Sequence, residues 1–507
     1  MSNLSSFKSS KYIKYYKYIF FLFPFLLVSG PFLPDIIIST LSLIFFFLLI
    51  KSVNKKLFIT NLFYFFLFFY FYIILNSFFS YAPIISLKSS VPYIRMIFFA
   101  FFLAYLLNNI KNLCEIILFS LTICYIILLL DSVYQFITGF NIFGYSASDR
   151  ISSFFGEKLV MGSFVSRTLP IILSILFFLK IRLSELFKAF IIFISGVLIY
   201  LSAERLAFAY YLVTLIFYIL INYSKKKLLI TLLLFSFSFL TLFHIKPNSF
   251  DRLFFQTVKQ SKQTSFYGFS YRHELHFITA FNLFNDSKLL GHGLKSFRYL
   301  CSLKQYAPTK KIIFDNTVFS TVEGQVFLLD DFTQNNNSFL IIEKDFDKNK
   351  LAKIILETNF REFYLFRKLD EGLYTYKFPN IFYGIYVKHN DFVRKGDALG
   401  FNYEFSNGCN THPHNIYFEF ISELGLIGLT FLLIGFFYIL YNIFITLKKI
   451  YFRKNINNNS AFLFSLVGIL ISIFPLFPSG SFFNNWLSSI FYFNIGFLIF
   501  FQKKINV

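Results

Sequence analysis

Long apolar runs alternate with short polar junctions along most of the chain. A transmembrane helix needs about 20 apolar residues, and slightly fewer where Lys or Tyr at its ends can reach the interface. Several runs are apolar on every face, which is typical of lipid-embedded helices and not of amphipathic soluble ones. The pattern predicts about twelve spans, which are Tyr15–Val28, Pro34–Ile50, Leu57–Phe79, Val91–Leu107, Ile116–Ile137, Val160–Leu179, Ala189–Leu201, Leu206–Ile221, Leu228–Phe243, Leu424–Leu447, Ala461–Phe477 and Trp486–Phe501.

The charged residues support this topology. Only 15% of the residues are charged and 56% are hydrophobic, a composition unlike that of a cytosolic enzyme or a disordered chain. The formal net charge is +22, but the basic residues lie between apolar runs, so they indicate membrane orientation and no nucleic-acid partner. Alternate junctions are basic and the others nearly lack Lys and Arg, which predicts that both termini are cytoplasmic. The basic junctions include Lys8, Lys51, Lys111, Lys180, Lys225, Lys448 and Lys503.

One long polar interval, from about residue 245 to residue 413, has no run that could cross a bilayer, and it falls on the outer side of the membrane. Tyr271–Asp286 is predicted to be an amphipathic helix. From Val322 onward, the segments VFLL, FLII, EFYLF and LYTYKF have the pattern of strands, and IYVKHNDFVRKGDALGF that of a hairpin. The helix is expected to line one side with Leu275, Ile278, Phe281, Leu283 and Phe284.

These patterns predict an all-α polytopic membrane protein that carries one large outer loop domain of mixed α/β character between helices 9 and 10. Residues 1–244 are predicted to contain transmembrane helices 1–9, and residues 245–413 the loop domain. Residues 414–507 are predicted to contain a histidine motif and helices 10–12.

The stretch THPHNIYFEFISELGLIGL begins where the outer segment re-enters the membrane. His412 and His414 flank a proline, so neither is expected to lie in a regular helix, and both are expected at the outer water–lipid boundary. A neutral imidazole there can take a proton from a sugar hydroxyl near pH 7. The alternative is an interfacial histidine that caps the next helix. No metal site is expected, because two His at i and i+2 without an HExxH or Cys partner do not form an established zinc pattern.

A second feature is the sequence SAER, which places Arg205 and the adjacent Glu204 at the outer face, where the positive-inside rule disfavours a cation. Arg205 is either a snorkelling structural residue or an anion receptor, since guanidinium groups bind phosphate oxygens with paired donors. Arg272 is a candidate for a second guanidinium, or else a solvated residue, and Arg150 ranks behind Arg205. With the histidines, these groups predict an outer-leaflet site for a lipid that bears a phosphate or diphosphate and reacts with a hydroxyl nucleophile.

The four cysteines divide into two pairs by position. Cys301 and Cys409 lie in the outer segment, where oxidation is permitted, so they form either a disulfide or two unrelated buried thiols. Cys114 and Cys124 lie beside or within a predicted span and are expected to be packing residues.

Several of these motifs resemble those of one family. HPHNIYFEFISELGLIGL resembles the signature of the O-antigen ligase/O-antigen polymerase superfamily, in which a His-Asn pair is followed by a Glu and a Gly-x-x-Gly segment that enters a helix. SAERLAF resembles the Ser-Gly-x-Arg-type motif of that family, with Ala203 in place of the usual Gly. DSVYQFITGFNIFGY, SSFFGEKLVMGSF, LLGHGLKSFRYLC and FPSGSFFNNW also resemble the ligase branch, whereas the strand-rich insert at about residues 309–405 has no counterpart. The signature residues here are His414, Asn415, Glu423, Gly425 and Gly428.

The resemblance implies a GT-C-like glycosyltransferase in a bacterial inner membrane, with its active site and loop domain in the periplasm. Its donor would be a glycan linked to undecaprenyl diphosphate, and the ligase branch would use a lipid A–core sugar or other glycan as acceptor, amid membrane lipid. His414 would be the general base with His412 as its neighbour, and Arg205 and Arg272 would bind the diphosphate. No metal or other cofactor would be needed, because guanidinium groups would neutralise the leaving diphosphate. Further candidates for the site are Glu204, Glu423, Arg150 and Asn415.

Two alternatives stay open at this point. A polymerase or a protein O-oligosaccharyltransferase would share the fold and the motifs, so the sequence barely separates them from a ligase. A polysaccharide or lipid transporter is more remote, because transporters usually have intramembrane charges and related halves. Here nine predicted spans precede one long loop and three spans follow it, with no evident repeat.

Overall fold

The computed structural model shows a mostly helical chain that divides into two compact units. The first unit contains Met1–Phe78, Pro83–Lys259 and Ile427–Val507, and the second contains Phe79–Ala82 and Gln260–Leu426. The structure describes residues 10–51, 60–147, 150–179, 184–221, 244, 246–258, 271–301, 303–306, 312–314, 317–319, 327–329, 338–342, 364–370, 373–377, 382–387, 409–475 and 477–505.

The helices follow the apolar runs closely. In chain order they are α1 (Ser10–Val28), α2 (Phe32–Lys51), α3 (Asn61–Phe78), α4 (Pro83–Ser90), α5 (Ile94–Asn109), α6 (Leu113–Thr138), α7 (Met161–Leu179), α8 (Ser184–Ser202), α9 (Arg205–Ile221), α10 (Pro247–Phe250), α11 (Tyr271–Asp286), α12 (Phe297–Leu300), α13 (Ile416–Tyr451), α14 (Ile456–Ser472) and α15 (Asn485–Ile505). A 3₁₀ turn, Val91–Tyr93, joins α4 to α5, and further short turns lie at Ser153–Phe155, Asp251–Phe255 and Lys304–Tyr306.

Within the described residues, seven helical segments are long and apolar enough to cross a membrane, and α9 and α14 are shorter apolar helices. The chain is therefore a multi-pass membrane protein. Each predicted span lies on one of these helices or on α1 or α15, except Leu228–Phe243, which lies outside the described residues. The total of twelve spans and the orientation of the termini stay predictions.

Burial separates the central helices of the first unit from those suited to face lipid. Nearly all side chains of α7, α14 and α15 are buried, and these three helices pack against one another. Large apolar side chains on α2 and α3 are exposed, including Phe47 and Phe68. Because lipid tails are as apolar as these side chains, such exposure is expected in a bilayer.

Two buried polar side chains inside the helical unit have partners there. The Asn494 amide of α15 donates to the Arg167 carbonyl of α7 over 3.4 Å and to the Ile490 carbonyl over 3.0 Å. The buried Arg167 guanidinium lies 4.8 Å from the centre of the Tyr210 ring. Such pairing is required because an unsatisfied polar group is costly in a low-dielectric interior.

The second unit combines helices with a sheet. The strands are β1 (Ile312–Phe314), β2 (Thr317–Phe319), β3 (Phe327–Leu329), β4 (Ser338–Ile342), β5 (Tyr364–Asp370), β6 (Leu373–Lys377) and β7 (Phe382–Val387). β1 and β2 pair as a hairpin, and the other five form a sheet in the order β3-β4-β7-β6-β5. Only the β4–β7 pair is parallel among the described strands, with Leu340 opposite Gly384. The predicted hairpin begins in β7, and its turn lies outside the described residues.

The amphipathic helix α11 has the predicted bounds, and Leu275 and Leu283 are buried as predicted, but the rest of its buried face differs in part from the predicted one. Phe281, expected on the apolar side, is 49% exposed, whereas His276 is fully buried. The reason is the packing of α11: Phe277 stacks on Phe418 with ring centres 4.5 Å apart, and Ala280 lies in a core cluster beside Cys301. The residues that pack against α11 therefore bury a side of the helix that includes the polar His276, and the pattern of apolar residues alone does not predict this side.

Two glycine segments interlock in the second unit. α13 is broken at Gly425, whose φ of +63° is left-handed. Gly291 also has a left-handed φ of +70°, and a side chain on it would lie 2.6 Å from backbone atoms of residues 423–425. Backbone hydrogen bonds join the two segments, from Gly293 N to Glu423 O over 2.8 Å and from Leu426 N to Lys288 O over 2.8 Å. The loop after α11 and the start of α13 are thereby held together.

This interlock predicts that Gly291→Ala destabilises the protein strongly. The methyl group adds a backbone clash to the penalty for a left-handed residue, so we expect a loss of about 2–4 kcal/mol in unfolding free energy. Gly139→Ala is the control, because Gly139 has a φ of +84° with no atom within 4 Å of its Cβ position, and about 1 kcal/mol is expected there. Thermal unfolding of detergent-purified variants measures both, and equal losses would contradict the interlock.

Candidate functional site

In the first unit, the guanidinium groups of Arg205 and Arg252 each donate a hydrogen bond to the chain segment that carries the other. Arg205 is the first residue of α9, and its Nε donates to the Arg252 carbonyl over 3.0 Å. Arg252 Nε donates in return to the Ala203 carbonyl over 3.3 Å. Arg205 Nη2 also reaches Gln256 Oε1 at 3.4 Å. The turn between α8 and α9 and the segment after α10 therefore place two like charges side by side.

The turn that presents Arg205 has a specific backbone requirement. α8 ends at Ser202 and α9 begins at Arg205, and Ala203 between them has a left-handed φ of +50°. Glycine adopts this conformation without a steric penalty, which accounts for a Gly in the motif that SAERLAF resembles. Ala203 keeps the same conformation and directs its carbonyl to Arg252.

Glu204 and Arg150 are bound within the protein. The Glu204 carboxylate accepts the N–H groups of Gly162 (2.8 Å) and Ser163 (3.1 Å), in the first turn of α7. Arg150 Nη2 lies 3.7 Å from Glu204 Oε1, and the same guanidinium donates to the Ser202 and Leu159 carbonyls. Burial raises the pKa of Glu204 to about 7, against the opposing effect of Arg150. Burial lowers the pKa of Arg150, and the positive charge of Arg252 lowers it further.

The balance of charge in this region is positive. Lys246 Nζ donates to the Leu201 carbonyl, which adds a cation beside the α8–α9 turn. Four cations (Arg150, Arg205, Lys246 and Arg252) against two acids (Glu204 and Asp251) give 4 − 2 = +2. We name Arg150, Arg205 and Arg252 the guanidinium cluster. Such a cluster suits a phosphate or diphosphate, whose oxygens accept paired N–H donors.

Arg252 was not among the predicted site residues. The signal that could have found it is its position: Asp251-Arg252 follows the predicted ninth span, on the same predicted side as Arg205. The contact between the two arginines, however, depends on residues 47 positions apart in the chain. Arg272 lies in the first turn of α11, and its side chain is outside what the structure describes.

The second unit contains a separate group of imidazoles around His414. His414 precedes α13 with a left-handed φ of +56°, as expected for a residue outside regular helix. Its ring centre lies 4.2 Å from that of His412, 5.3 Å from His276 and 5.4 Å from His273. We name these four residues the histidine cluster. Within the described part of the chain, no group of three or more His, Cys, Asp or Glu side chains could hold a metal ion.

His273 and His276 were not among the predicted site residues. Their spacing of three places both on one face of a helix, and that spacing was visible in YRHELHF. What the sequence could not show is that this face packs toward the segment before α13, since the burial of α11 differs from its apolar pattern.

Asn415 and Glu423 have structural partners in the second unit. Asn415 Oδ1 accepts the N–H of Tyr417 over 2.8 Å, as an N-cap residue of α13 does. The Glu423 carboxylate accepts the N–H groups of Lys295 (2.9 Å) and Phe297 (3.3 Å), at the start of α12. These contacts hold the loop before α12 and the helix that follows the histidine motif.

A disulfide between Cys301 and Cys409, which are 108 positions apart, closes the strand-rich insert at its base. Cys301 Sγ also lies 3.6 Å from the Asn410 carbonyl, and the Asn410 side chain is hydrogen-bonded to His414. The disulfide therefore holds the segment that carries the two histidines of the motif. Cys114 and Cys124 are free and buried.

We predict that reducing the disulfide destabilises the second unit. Closure of a loop this long accounts for about 5 kcal/mol in the chain-entropy view, so a phosphine reductant should lower the thermal midpoint of the wild type. The Cys301→Ser variant should start at the lower midpoint and no longer respond, whereas Cys114→Ser should respond like the wild type. A wild type that is insensitive to complete reduction would contradict this anchoring role.

Glu204 gives a prediction for pH. Its folded-state pKa of about 7 exceeds the ordinary value of 4.5, so the native state binds the extra proton between these values and stability falls as pH rises. The contribution is full below about pH 4.5 and is lost above about pH 7. Glu204→Gln cannot ionise, so its thermal midpoint should vary less between pH 5 and 8 than that of the wild type. The exposed Glu157→Gln variant should keep the wild-type slope, and an unchanged slope in Glu204→Gln would contradict the assignment.

Comparison with known proteins agrees with the motifs. The family model described as O-antigen ligase matches residues 190–322, a range that contains Arg205, Arg252 and α11, whereas His414 lies beyond it. No curated protein matches the chain. The match confirms the resemblance seen in the sequence: residues 190–322 are similar to the O-antigen ligase family.

Proposed function

We propose that this protein is a membrane glycosyltransferase that transfers O-antigen-type polysaccharide from undecaprenyl diphosphate to a lipid A–core sugar hydroxyl, on the periplasmic face of the inner membrane. The observation that carries the proposal is the guanidinium cluster, whose paired arginines lie within the range that matches the O-antigen ligase family. A lipid that ends in a diphosphate has the charge and the oxygen geometry for such a cluster.

The arginines act on the leaving group. As the bond between the sugar C1 and the phosphate oxygen breaks, the electron pair moves to that oxygen, and the negative charge on the diphosphate increases. Arg205 and Arg252 stabilise this charge, because fixed guanidinium donors need no reorganisation at the moment of reaction. Arg272, in the first turn of α11, is proposed to add a further cation. The reaction then requires no metal ion.

His414 acts on the acceptor. The imidazole takes the proton of the acceptor hydroxyl while the oxygen forms its bond to C1, so proton and leaving group depart from different atoms. Direct attack would invert the configuration at C1. His412, with its ring 4.2 Å away, is proposed to help hold His414 in place. Four further candidates are proposed to hold these residues in place, because their side chains contact backbone groups: Glu204, Arg150, Asn415 and Glu423.

The first test measures transfer by protein in nanodiscs, with a glycan on undecaprenyl diphosphate as donor and lipid A–core as acceptor. We predict that His414→Ala lowers kcat about 100- to 10,000-fold, the range that a general base contributes, with little change in KM. The exposed His244→Ala variant is the control and should keep wild-type kinetics. A chelator should leave the rate unchanged. Wild-type activity in His414→Ala would remove this residue as the base.

The same assay tests the donor site. Arg205→Ala and Arg252→Ala should each reduce kcat/KM about 10- to 1000-fold, with weaker binding of undecaprenyl diphosphate, because each removes a charge-assisted contact. Arg205→Lys keeps the charge but not the paired donors and should recover only part of the loss.

The product distinguishes the ligase from its relatives in the superfamily. Longer lipid-linked glycan without modified lipid A–core would indicate a polymerase, and glycan on a protein would indicate an O-oligosaccharyltransferase. Full activity of both alanine variants of the arginines would contradict the proposed donor site for any of these products.

A further inference from the structure

His414 has one nitrogen whose role is set by a neighbour. The side chain of Asn410 is held by Thr411, whose N–H is donated to Asn410 Oδ1, and its amide nitrogen faces His414 Nε2. An amide nitrogen can only donate, so Nε2 is the accepting nitrogen and Nδ1 carries the proton in the neutral ring. The lone pair on Nε2 is the one that an acceptor hydroxyl would use in place of Asn410.

The Nδ1–H group then requires an acceptor, and two imidazoles of α11 are near enough. A ring nitrogen lies about 1.1 Å from the ring centre, so a direct N–H···N bond of about 3 Å puts two imidazole centres about 5 Å apart. The centres of His276 and His273 lie 5.3 and 5.4 Å from that of His414. Both distances between ring centres leave room for a direct N–H···N hydrogen bond.

These two imidazoles differ in how deeply they are buried. His276 is fully buried, and its neighbour Phe277 is stacked on Phe418 at 4.5 Å, so its place on α11 is fixed. His273 is only partly buried, one turn nearer the helix start. Burial favours the neutral form of an imidazole, and a neutral imidazole has one accepting nitrogen. The titratable groups close in sequence to these histidines are Tyr271, Arg272 and Glu274 on α11, His412 beside His414, and Tyr417 and Glu419 on α13.

We propose that His276 is the positioning residue of His414: it accepts the Nδ1–H bond, fixes the ring with Nε2 toward the acceptor, and stabilises the imidazolium that forms. This inference rests on the proposed function for its place in the reaction. When the acceptor oxygen bonds to the sugar C1, its proton moves to Nε2, and the electron pair of the broken bond stays on the diphosphate. The positive charge on His414 is then shared through Nδ1–H with His276, as a carboxylate shares it in other histidine bases.

The test uses variants of His276 that differ in hydrogen bonding. His276→Phe keeps an aromatic ring without an acceptor, and His276→Gln supplies an amide oxygen. His276→Phe should lower kcat about 10- to 100-fold with little change in KM, and the acidic limb of the kcat/KM profile should move to lower pH by about one unit, because the imidazolium loses a stabilising bond. His276→Gln should restore most of both values. His292→Phe, a histidine of the same unit outside the cluster, is the control.

A second readout does not use catalysis. The rate at which diethyl pyrocarbonate modifies His414, followed by peptide mass spectrometry, rises as the imidazole loses its proton. In His276→Phe its midpoint should also move to lower pH by about one unit. If the modification midpoint shifts in His276→Phe but the wild-type protein shows no transferase activity, the positioning role stands and the proposed function is overturned. Transfer activity with unmoved midpoints in both His276 variants, or a shift in His273→Phe alone, would overturn the role of His276 and leave the proposed function intact.

Discussion

The central interaction in this protein is a pair of hydrogen bonds made by two arginines, each of which donates to a backbone carbonyl in the segment of the other. Like charges at the ends of apolar helices repel, and their repulsion is strong where water is scarce. The protein nevertheless binds Arg205 to the Arg252 carbonyl and Arg252 to the Ala203 carbonyl, so both guanidinium groups are held beside each other. An anion that accepts from both would relieve the repulsion, and a lipid diphosphate has the required charge.

The rest of the first unit serves this arrangement. The left-handed Ala203 turns the chain between α8 and α9, and Glu204 binds the first turn of α7 through two backbone N–H groups. Arg150 is bound to the same carboxylate and to the end of α8. A short polar motif between two apolar helices thus fixes three elements.

The second unit positions an imidazole by different means. The interlocked glycines Gly291 and Gly425 join the loop after α11 to the break in α13, and the Cys301–Cys409 disulfide holds the chain just before the histidine motif. His414 is therefore fixed on both sides in the sequence, while α11 brings His273 and His276 to its ring. Two independent anchors suit a residue whose orientation decides which nitrogen meets the substrate.

Sequence patterns predicted the features that depend on the bilayer and on local geometry, namely the positions of the helices. The apolar runs locate the helices because a bilayer requires long apolar segments, and the bounds of α11 agree with its pattern. The buried face of α11 could not be predicted, because Phe418 and the disulfide core, far along the chain, decide which side is covered. Arg252 and His276 were missed for the same reason, because each is brought to its site by a contact with a residue that is distant in sequence. Glu204 and Asn415 were candidates by motif, and their partners are backbone groups.

The most direct test of the donor site is an electron cryomicroscopy structure of the protein in nanodiscs with undecaprenyl diphosphate bound. We expect phosphate oxygens within about 3 Å of the guanidinium groups of both Arg205 and Arg252. A diphosphate bound elsewhere, with both arginines still donating only to groups of the protein, would contradict the proposed donor site.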